Sequence, residues 1–363
     1  MAERTSVVRL LQDVEVAVED LLLTGLTSAS DVTRQTLATA FEAVSRMRLL
    51  RLGFTLRVAT EEIARFARND AGFSRRRFGF FLSRAWMLSR GLRQSIEKED
   101  AVRWDLLTHQ PSARPLGVFD AVSLGVSKRV VPGAFAAFEF RLRVLTSGDL
   151  PEGTPLIWSA VFPIKAGVDL PAEAYLHLPQ AQRFKASILL PGLTVRIAGG
   201  TLTDEGRLIL TREATVEPVP KPFKDWDRFL SWDQAAALSR LEAHTPGPFD
   251  LEVELQEEVV LRDFTVGPPA PVERERQLRF PVTTPIGPCY VTTGIGPEDA
   301  GLRQRLMEWS SPNPAPLYGL LHYEMCRFAF QPLTFFGSEG PEAVQLQQHA
   351  VDAATLVRAL KFT

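Results

Sequence analysis

The sequence predicts an α+β protein, with a helical bundle over residues 1–108 and a β-rich, mainly antiparallel domain with intercalated helices over residues 109–363. Apolar residues recur at alternating spacings of three and four through the first hundred positions, the period of amphipathic helices. Beyond Thr108 the texture changes to short runs of β-branched and aromatic residues punctuated by proline and glycine. With 363 residues, 45% hydrophobic and 23% charged, the chain can bury more than one core and lacks the bias of a disordered protein.

Val7, Leu11, Val14, Val18 and Leu21 share one face of a first helix, which breaks at Thr24-Gly25. Ser30 or Asp31 offers an N-cap to a second helix carrying Leu37, Phe41, Val44 and Met47. Gly53 marks a kink in it or its continuation, since glycine costs about 1 kcal/mol in a helix interior. A third helix from Ser74 to Lys98 presents Phe78, Phe81, Ala85, Leu88, Leu92 and Ile96 as one stripe. Such stripes cannot bury themselves singly, so a helical hairpin or three-helix bundle follows. Residues 109–117 are a Pro-punctuated linker.

Strands are predicted over 119–126, 136–145, 155–162, 184–190, 193–198 and 207–211. Thr203–Gly206 is a hairpin turn in which Gly206 supplies a positive φ. Residues 225–241 return to a helical period, and 249–266 read as a long strand with Leu251, Val253 and Leu255 alternating against acids. A strand around Cys289, helices over 301–309 and 317–328, and a helix from about Ala350 complete the pattern. A sub-boundary is placed near 266–275, and no internal repeat stands out.

Charge carries the clearest functional signal. Between Met47 and Arg93 eleven arginines face three acids, Glu61, Glu62 and Asp70, in a chain whose net charge is −2. On a helical wheel Arg75, Arg76, Arg90 and Arg93 lie away from the apolar stripe, Arg77 and Arg84 flank it, and Trp86 sits beside them. Such a face suits an acidic protein partner, a phosphate backbone with Trp86 stacking on a base, or anionic lipid; a merely solvated face is the alternative. Glu252, Glu254, Glu257 and Glu258 form an acidic patch, and residues 101–363 are net acidic while residues 1–100 are net basic. Opposite charges of this kind can steer docking or self-association into a homo-oligomer.

Catalytic signatures are few. Asp225 with Asp227 brackets Trp226 at a predicted helix start, and Asp204 with Glu205 sits in a turn, so both pairs have conformational explanations. His322 and Cys326 are four apart, with Cys289 as a third ligand from a strand, short of the four that structural zinc takes. Phosphate-loop, dinucleotide, nucleophile-elbow and H-E-x-x-H motifs are absent, so the expectation is a non-enzyme without cofactor. Two cysteines, a charged amino terminus and no apolar run of about 18 residues lead to a cytoplasmic expectation without a membrane span.

Four segments resemble a family of bacterial proteins encoded beside MoxR-type AAA+ ATPases, von Willebrand A-domain proteins and SWIM zinc-finger proteins. They are FGFFLSRAWMLSRGL (78–92), VPGAFAAFEFRLRVL (131–145), FDLEVELQEEVVLRDF (249–264) and LLHYEMCRFAFQPLTFFG (320–337). The resemblance implies a component of a multi-protein, ATPase-linked assembly and carries no site residue. The sequence therefore reads as an interaction or scaffold subunit docking through its basic helix. A nucleic-acid-binding protein using the same arginines is the alternative, and an enzyme stands third.

Overall fold

The computed structural model describes residues 2–27, 31–70, 73–108, 112–131, 135–164, 170–243, 256–272, 276–309, 315–324 and 327–347. The predicted class is the observed one: five helices precede a body of antiparallel strands. Two compact units divide the chain, one holding residues 1–111 and the other most of residues 112–363.

The helical unit comprises α1 (Ala2–Thr24), α2 (Asp31–Arg46), α3 (Leu50–Ala67), α4 (Arg75–Glu97) and α5 (Ala101–Thr108). Its core is the set of predicted stripes: Leu11, Val14, Val18 and Leu21 meet Leu37 and Val44, then Leu88 and Leu92, all essentially inaccessible. The second helix does not reach Gly53. It stops at Arg46, and Arg48 takes a positive φ of 58° in the turn before α3. Gly53 lies buried inside α3, whereas Met47 falls in the turn and is 38% exposed. Ser74 starts α4 by accepting a hydrogen bond from the Arg77 backbone at 3.2 Å.

The second unit begins with β1 (Ala113–Leu116), β2 (Phe119–Val131), β3 (Phe135–Ser147), β4 (Pro155–Pro163), β5 (Thr194–Thr203) and β6 (Leu208–Pro218). β2 pairs with β3 and β5, β3 with β4, and β5 with β6, all antiparallel. The ring closes where Ile157 of β4 lies parallel to Arg207, its N–H bonded to Gly206 O at 2.9 Å. Numbered from β2, the order around the ring is 1-2-3-5-4. Between the third and fourth strands, 3₁₀ turns at Ala172–His177 and Ala186–Leu189 drop Tyr175, Leu176, Ala186 and Leu189 into the barrel core. Residues 184–190, predicted as a strand, belong to that plug. Thr203–Gly206 makes the predicted turn, with Gly206 at φ +78°.

The order then repeats. Residues 223–225 and 227–229 form 3₁₀ turns that place Asp225 and Asp227 around the buried Trp226; helix α6 begins later, at Gln234–Ala243. β7 (Glu257–Leu261) and β8 (Thr265–Val266) make one strand bent at Asp263, whose φ is +54°. β10 (Gln277–Thr284), extended by β9 (Ala270–Pro271), and β11 (Gly287–Gly294) form the next hairpin. α7 (Ala300–Glu308) follows, then β12 (Leu317–Glu324), β13 (Arg327–Gly337) and the short β14 (Gly340–Ala343). β7 pairs with β12, β8 with β10, β12 with β13, and β11 runs parallel to β13 at Tyr290 and Ala329. Ring order is again 1-2-3-5-4, with α7 between the third and fourth strands. Two five-stranded Greek-key barrels of the oligonucleotide/oligosaccharide-binding type thus stand in tandem, a structural repeat that no sequence repeat announced.

The segment predicted as a helix over 317–328 holds strand at 317–324, paired with β7 and β13, and at 327–328, the start of β13; both faces of Leu317–Leu321 are buried. Leu317 and Leu321 enter the second barrel core, while Tyr318 and Leu320 pack on the first barrel. There Val122, Leu124 and Leu145 meet Val260, Tyr318, Leu320, Leu333 and Phe336. Gly125 makes this contact possible: a Cβ at that position would lie 2.7 Å from the Tyr318 ring. Residues 340–347 strap the two barrels together. The Gln345 side chain accepts from the Lys128 N–H at 3.2 Å and donates to Pro332 O at 2.9 Å. Leu251, Val253, Leu255 and the helix expected near Ala350 lie outside the described residues. Among the described residues, no helix is long and apolar enough to cross a membrane.

Candidate functional site

The arginine-rich helix is largely answered within its own unit. Glu62 of α3, fully buried, accepts from Arg65 and from Arg77 Nε at 2.9 Å, and from the Ser74 N–H at 2.9 Å. Burial opposes its ionisation, but the Ser74 N–H and the two guanidinium groups outweigh that and hold its carboxyl below the ordinary range. Arg93 pairs with Glu15 at 2.8 Å and with Glu97 at 2.9 Å. Arg84, expected at the edge of the stripe, is buried at 3% exposure. Trp86 donates its indole N–H to Glu19 at 2.8 Å, and the Arg90 guanidinium lies 4.8 Å from its ring centroid. Arg75 and Arg90 keep exposed positions, and the Arg76 side chain is outside the described residues. Arg77, Trp86 and Arg93 of the predicted face are thus bound to acids of the helical unit, while Arg75 and Arg90 stay exposed.

The acidic patch has a different role from the one expected. Glu252 and Glu254 lie outside the described residues. Glu257 pairs with Arg240, and Glu258 reaches across the barrel contact to Arg141 at 3.4 Å and to Arg143. Tyr318 donates its hydroxyl to Glu258 at 2.7 Å. Burial raises the Glu258 carboxyl, but Arg143, Arg141 and the Tyr318 hydroxyl reverse the shift and hold it low.

Of the three residues weighed as metal ligands, Cys289 and His322 do not converge. Cys289 points into the second barrel core with Val282 and Val291, and burial pushes its thiol up to about 12. His322 follows Leu321, which enters that same core, so its side chain stands on the opposite face of the sheet. Cys326 is outside the described residues. Among the described residues no three His, Cys, Asp or Glu side chains gather as a metal site.

Barrels of this order bind ligands on the outer face of their second and third strands. The two faces differ. In the first barrel the outward residues of β3 are Ala137, Glu139, Arg141, Arg143 and Leu145, the inward ones being in the core. Arg141 and Arg143 are consumed by Glu139 and Glu258, and Leu145 is buried against the second barrel. What stays accessible is Glu139 with Ser159 and Val161 of β4, a face with a carboxylate and no aromatic ring.

In the second barrel Phe280 and Val282 of β10 and Cys289 and Val291 of β11 point inward. Arg279, Pro281 and Thr283 therefore share the outer face with Pro288, Tyr290 and Thr292. Register puts Arg279 opposite Thr292 and Pro281 opposite Tyr290, so Arg279 and Tyr290 are diagonal neighbours. The Arg279 guanidinium stacks 4.5 Å from the Tyr290 centroid, and the ring beneath it is only 5% exposed. Among the described residues Arg279 has no ion pair, and its buried Nε–H finds no acceptor. Tyr290, Ala329 and His322 lie in one cross-strand row, and exposed Arg327 is two residues before Ala329 on that face. Exposed Arg276 immediately precedes β10. Sequence reading passed over these residues, although alternation in QLRFPVTT and GPCYVTTG across a short turn would place them together.

No known protein family matches the chain, and no curated protein matches it. Among solved structures it is similar to the Ifi202 HINa domain in complex with 20 bp double-stranded DNA, at 9% identity and a TM-score of 0.31, covering 60% of this chain and 93% of that one. It is also similar to a murine DNA-binding protein bound to double-stranded DNA, at 11% identity and TM-score 0.28, covering 59% and 93%. A Replication Protein A heterotrimer bound to single-stranded DNA gives 9% identity and TM-score 0.28, over 69% of this chain and 52% of that one. Superpositions this loose leave the strand order and register as the basis of the fold assignment.

Proposed function

We propose that this protein binds nucleic acid through the outer face of β10 and β11 in its second barrel. One observation carries the reading. An arginine whose guanidinium carbon lies 4.5 Å from a tyrosine ring centre, without an ion pair among the described residues, sits on the strands that such barrels present to oligonucleotides. Arg276 and Arg327 supply further positive charge beside it, suited to phosphates, and Thr283 and Thr292 supply hydroxyls. Fold alone would not suffice, because the first barrel shares the topology and offers no such face.

The test is fluorescence anisotropy of the full chain with labelled oligonucleotides across a salt series. Affinity should fall linearly with log salt, by about 0.7 in log–log slope per phosphate contact on a single strand. The R276E/R327E double variant should bind more weakly and with a shallower slope. Absence of any salt-dependent binding refutes the reading. A protein-docking role is the second reading, favoured by Val16, Leu22, Leu23 and Val32 of the helical unit, which are 59–87% exposed. The ATPase-linked assembly implied by sequence resemblance belongs with it. Light scattering and a pull-down would test it, and a monomer that retrieves no partner would count against it.

A further inference from the structure

Resting on that reading, we propose that the ligand is a single strand engaged by the second barrel alone, with one base stacked on the outer plane of the Arg279 guanidinium. The Arg279 guanidinium carbon lies 4.5 Å from the Tyr290 ring centre, and the strand register fixes both residues on rigid sheet rather than loop. A guanidinium so held presents a flat, weakly hydrated surface, the kind on which unpaired bases stack. In a duplex the bases are already stacked on one another and cannot reach a flat sheet face without being extruded. Thr292, directly across from Arg279 on β11, carries a hydroxyl that can meet a base edge.

Restriction to one barrel follows from what covers the other. Arg141 and Arg143, on the equivalent outward positions of the first barrel's second strand, are 8% and 17% exposed and bound to Glu258. Leu145 beyond them is in the apolar contact between barrels. On the remaining accessible surface the Glu139 carboxylate already binds both Arg141 and Arg207, so that the cations there are occupied within the protein. One barrel of this type spans about 4–16 nucleotides, so the occupied length is set by the second barrel only.

The experiment measures affinity of the full chain for oligothymidylates of about 6, 16 and 24 nucleotides and for a 24-bp duplex, with R279A and R279K as variants. Affinity should plateau by about 16 nucleotides, apart from the few-fold statistical gain of extra registers, and the duplex should bind at least tenfold more weakly. R279A should lose roughly five- to 150-fold. R279K should lose nearly as much with an unchanged salt slope, because lysine keeps the charge but not the plane. Circular dichroism confirms that the variants are folded. Wild-type affinity in R279K overturns the stacking role, a tenfold gain between the two longer strands overturns the single barrel, and equal duplex binding overturns the ligand class. If the wild type binds no oligonucleotide at all, the underlying nucleic-acid reading fails instead.

Discussion

Replacing Glu258 with glutamine removes one negative charge from the contact between barrels. Its carboxylate accepts from Arg141, Arg143 and the Tyr318 hydroxyl. Arg141 retains Glu139 at 2.6 Å, so its charge stays compensated. Arg143 retains only a 3.3 Å bond to the carbonyl of Leu142. The cost is therefore that of one buried, uncompensated cation, about 3–5 kcal/mol for a broken buried pair. Because Arg143 is 17% exposed, the low end applies, about 3 kcal/mol or more than a hundredfold in the folding equilibrium. With a urea m-value of about 3 kcal/mol/M, the midpoint should fall by about 1 M, read by tryptophan fluorescence and circular dichroism together. The R143M/E258M double variant should recover most of that loss, since an apolar pair of similar volume often substitutes for a buried ion pair. A midpoint unchanged in E258Q, or a double variant no better than the single one, would refute the assigned role of Arg143.

Acid should destabilise the protein in a defined window. Glu258, Glu62 and Asp120 of β2, the last paired with Arg196 and Lys221 at 2.8 Å each, all titrate below their ordinary values of 4.5, 4.5 and 3.8, because neighbouring cations or N–H donors outweigh burial. Depressed carboxylates stabilise the folded state fully above the unfolded values and lose that contribution as pH falls through the folded ones, so stability should stay level from pH 7 to about 5 and drop below about 4.5. A flat urea midpoint down to about pH 3 would contradict this. Cys289, buried with its thiol raised to about 12, should resist aromatic disulfide reagents at pH 8 and react on unfolding, which peptide mapping would detect. G125V should drive a methyl into the Tyr318 ring and the Leu333 Cβ, now 2.7 and 3.0 Å from an added Cβ, costing about 1–3 kcal/mol. A melting temperature equal to wild type would show that the barrel contact yields freely.

Helical stripes are readable because a 3.6-residue period survives in the order of residues: Leu11, Val14, Val18 and Leu21 share a predicted face and are buried. The hairpin of Thr203–Gly206 is equally readable from its turn chemistry. Strand order is not. Alternation says that a strand has two faces but not which neighbour it meets, so the 1-2-3-5-4 ring and its repetition stay invisible. Residues 317–328 read as helix because the outer face of β12 is also apolar, packing on the other barrel, and a strand buried on both sides loses its alternation. The arginine cluster is visible as composition, but Glu15 and Glu62, which neutralise part of it, are 78 and 15 residues away from Arg93 and Arg77. Charge counting over a window cannot see such partners.

Both barrels carry arginine on the outward face of the second strand, Arg141 and Arg143 in one and Arg279 in the other, and the difference lies in what approaches each. Glu258 alone does not make that difference. Val122, Leu124 and Leu145 are buried against Val260, Tyr318, Leu320 and Leu333, an apolar contact that does not use the carboxylate's charge. E258Q should accordingly leave oligonucleotide affinity within about twofold of wild type at temperatures where it stays folded, because the first barrel's face remains covered by apolar packing. If the ion cluster were instead the sole latch, freeing two arginines would let them reach phosphates. Affinity would then rise and the log–log salt slope would steepen by about 0.7 for each additional phosphate neutralised. The same variant thus separates a face that is structurally committed from one that is electrostatically held shut.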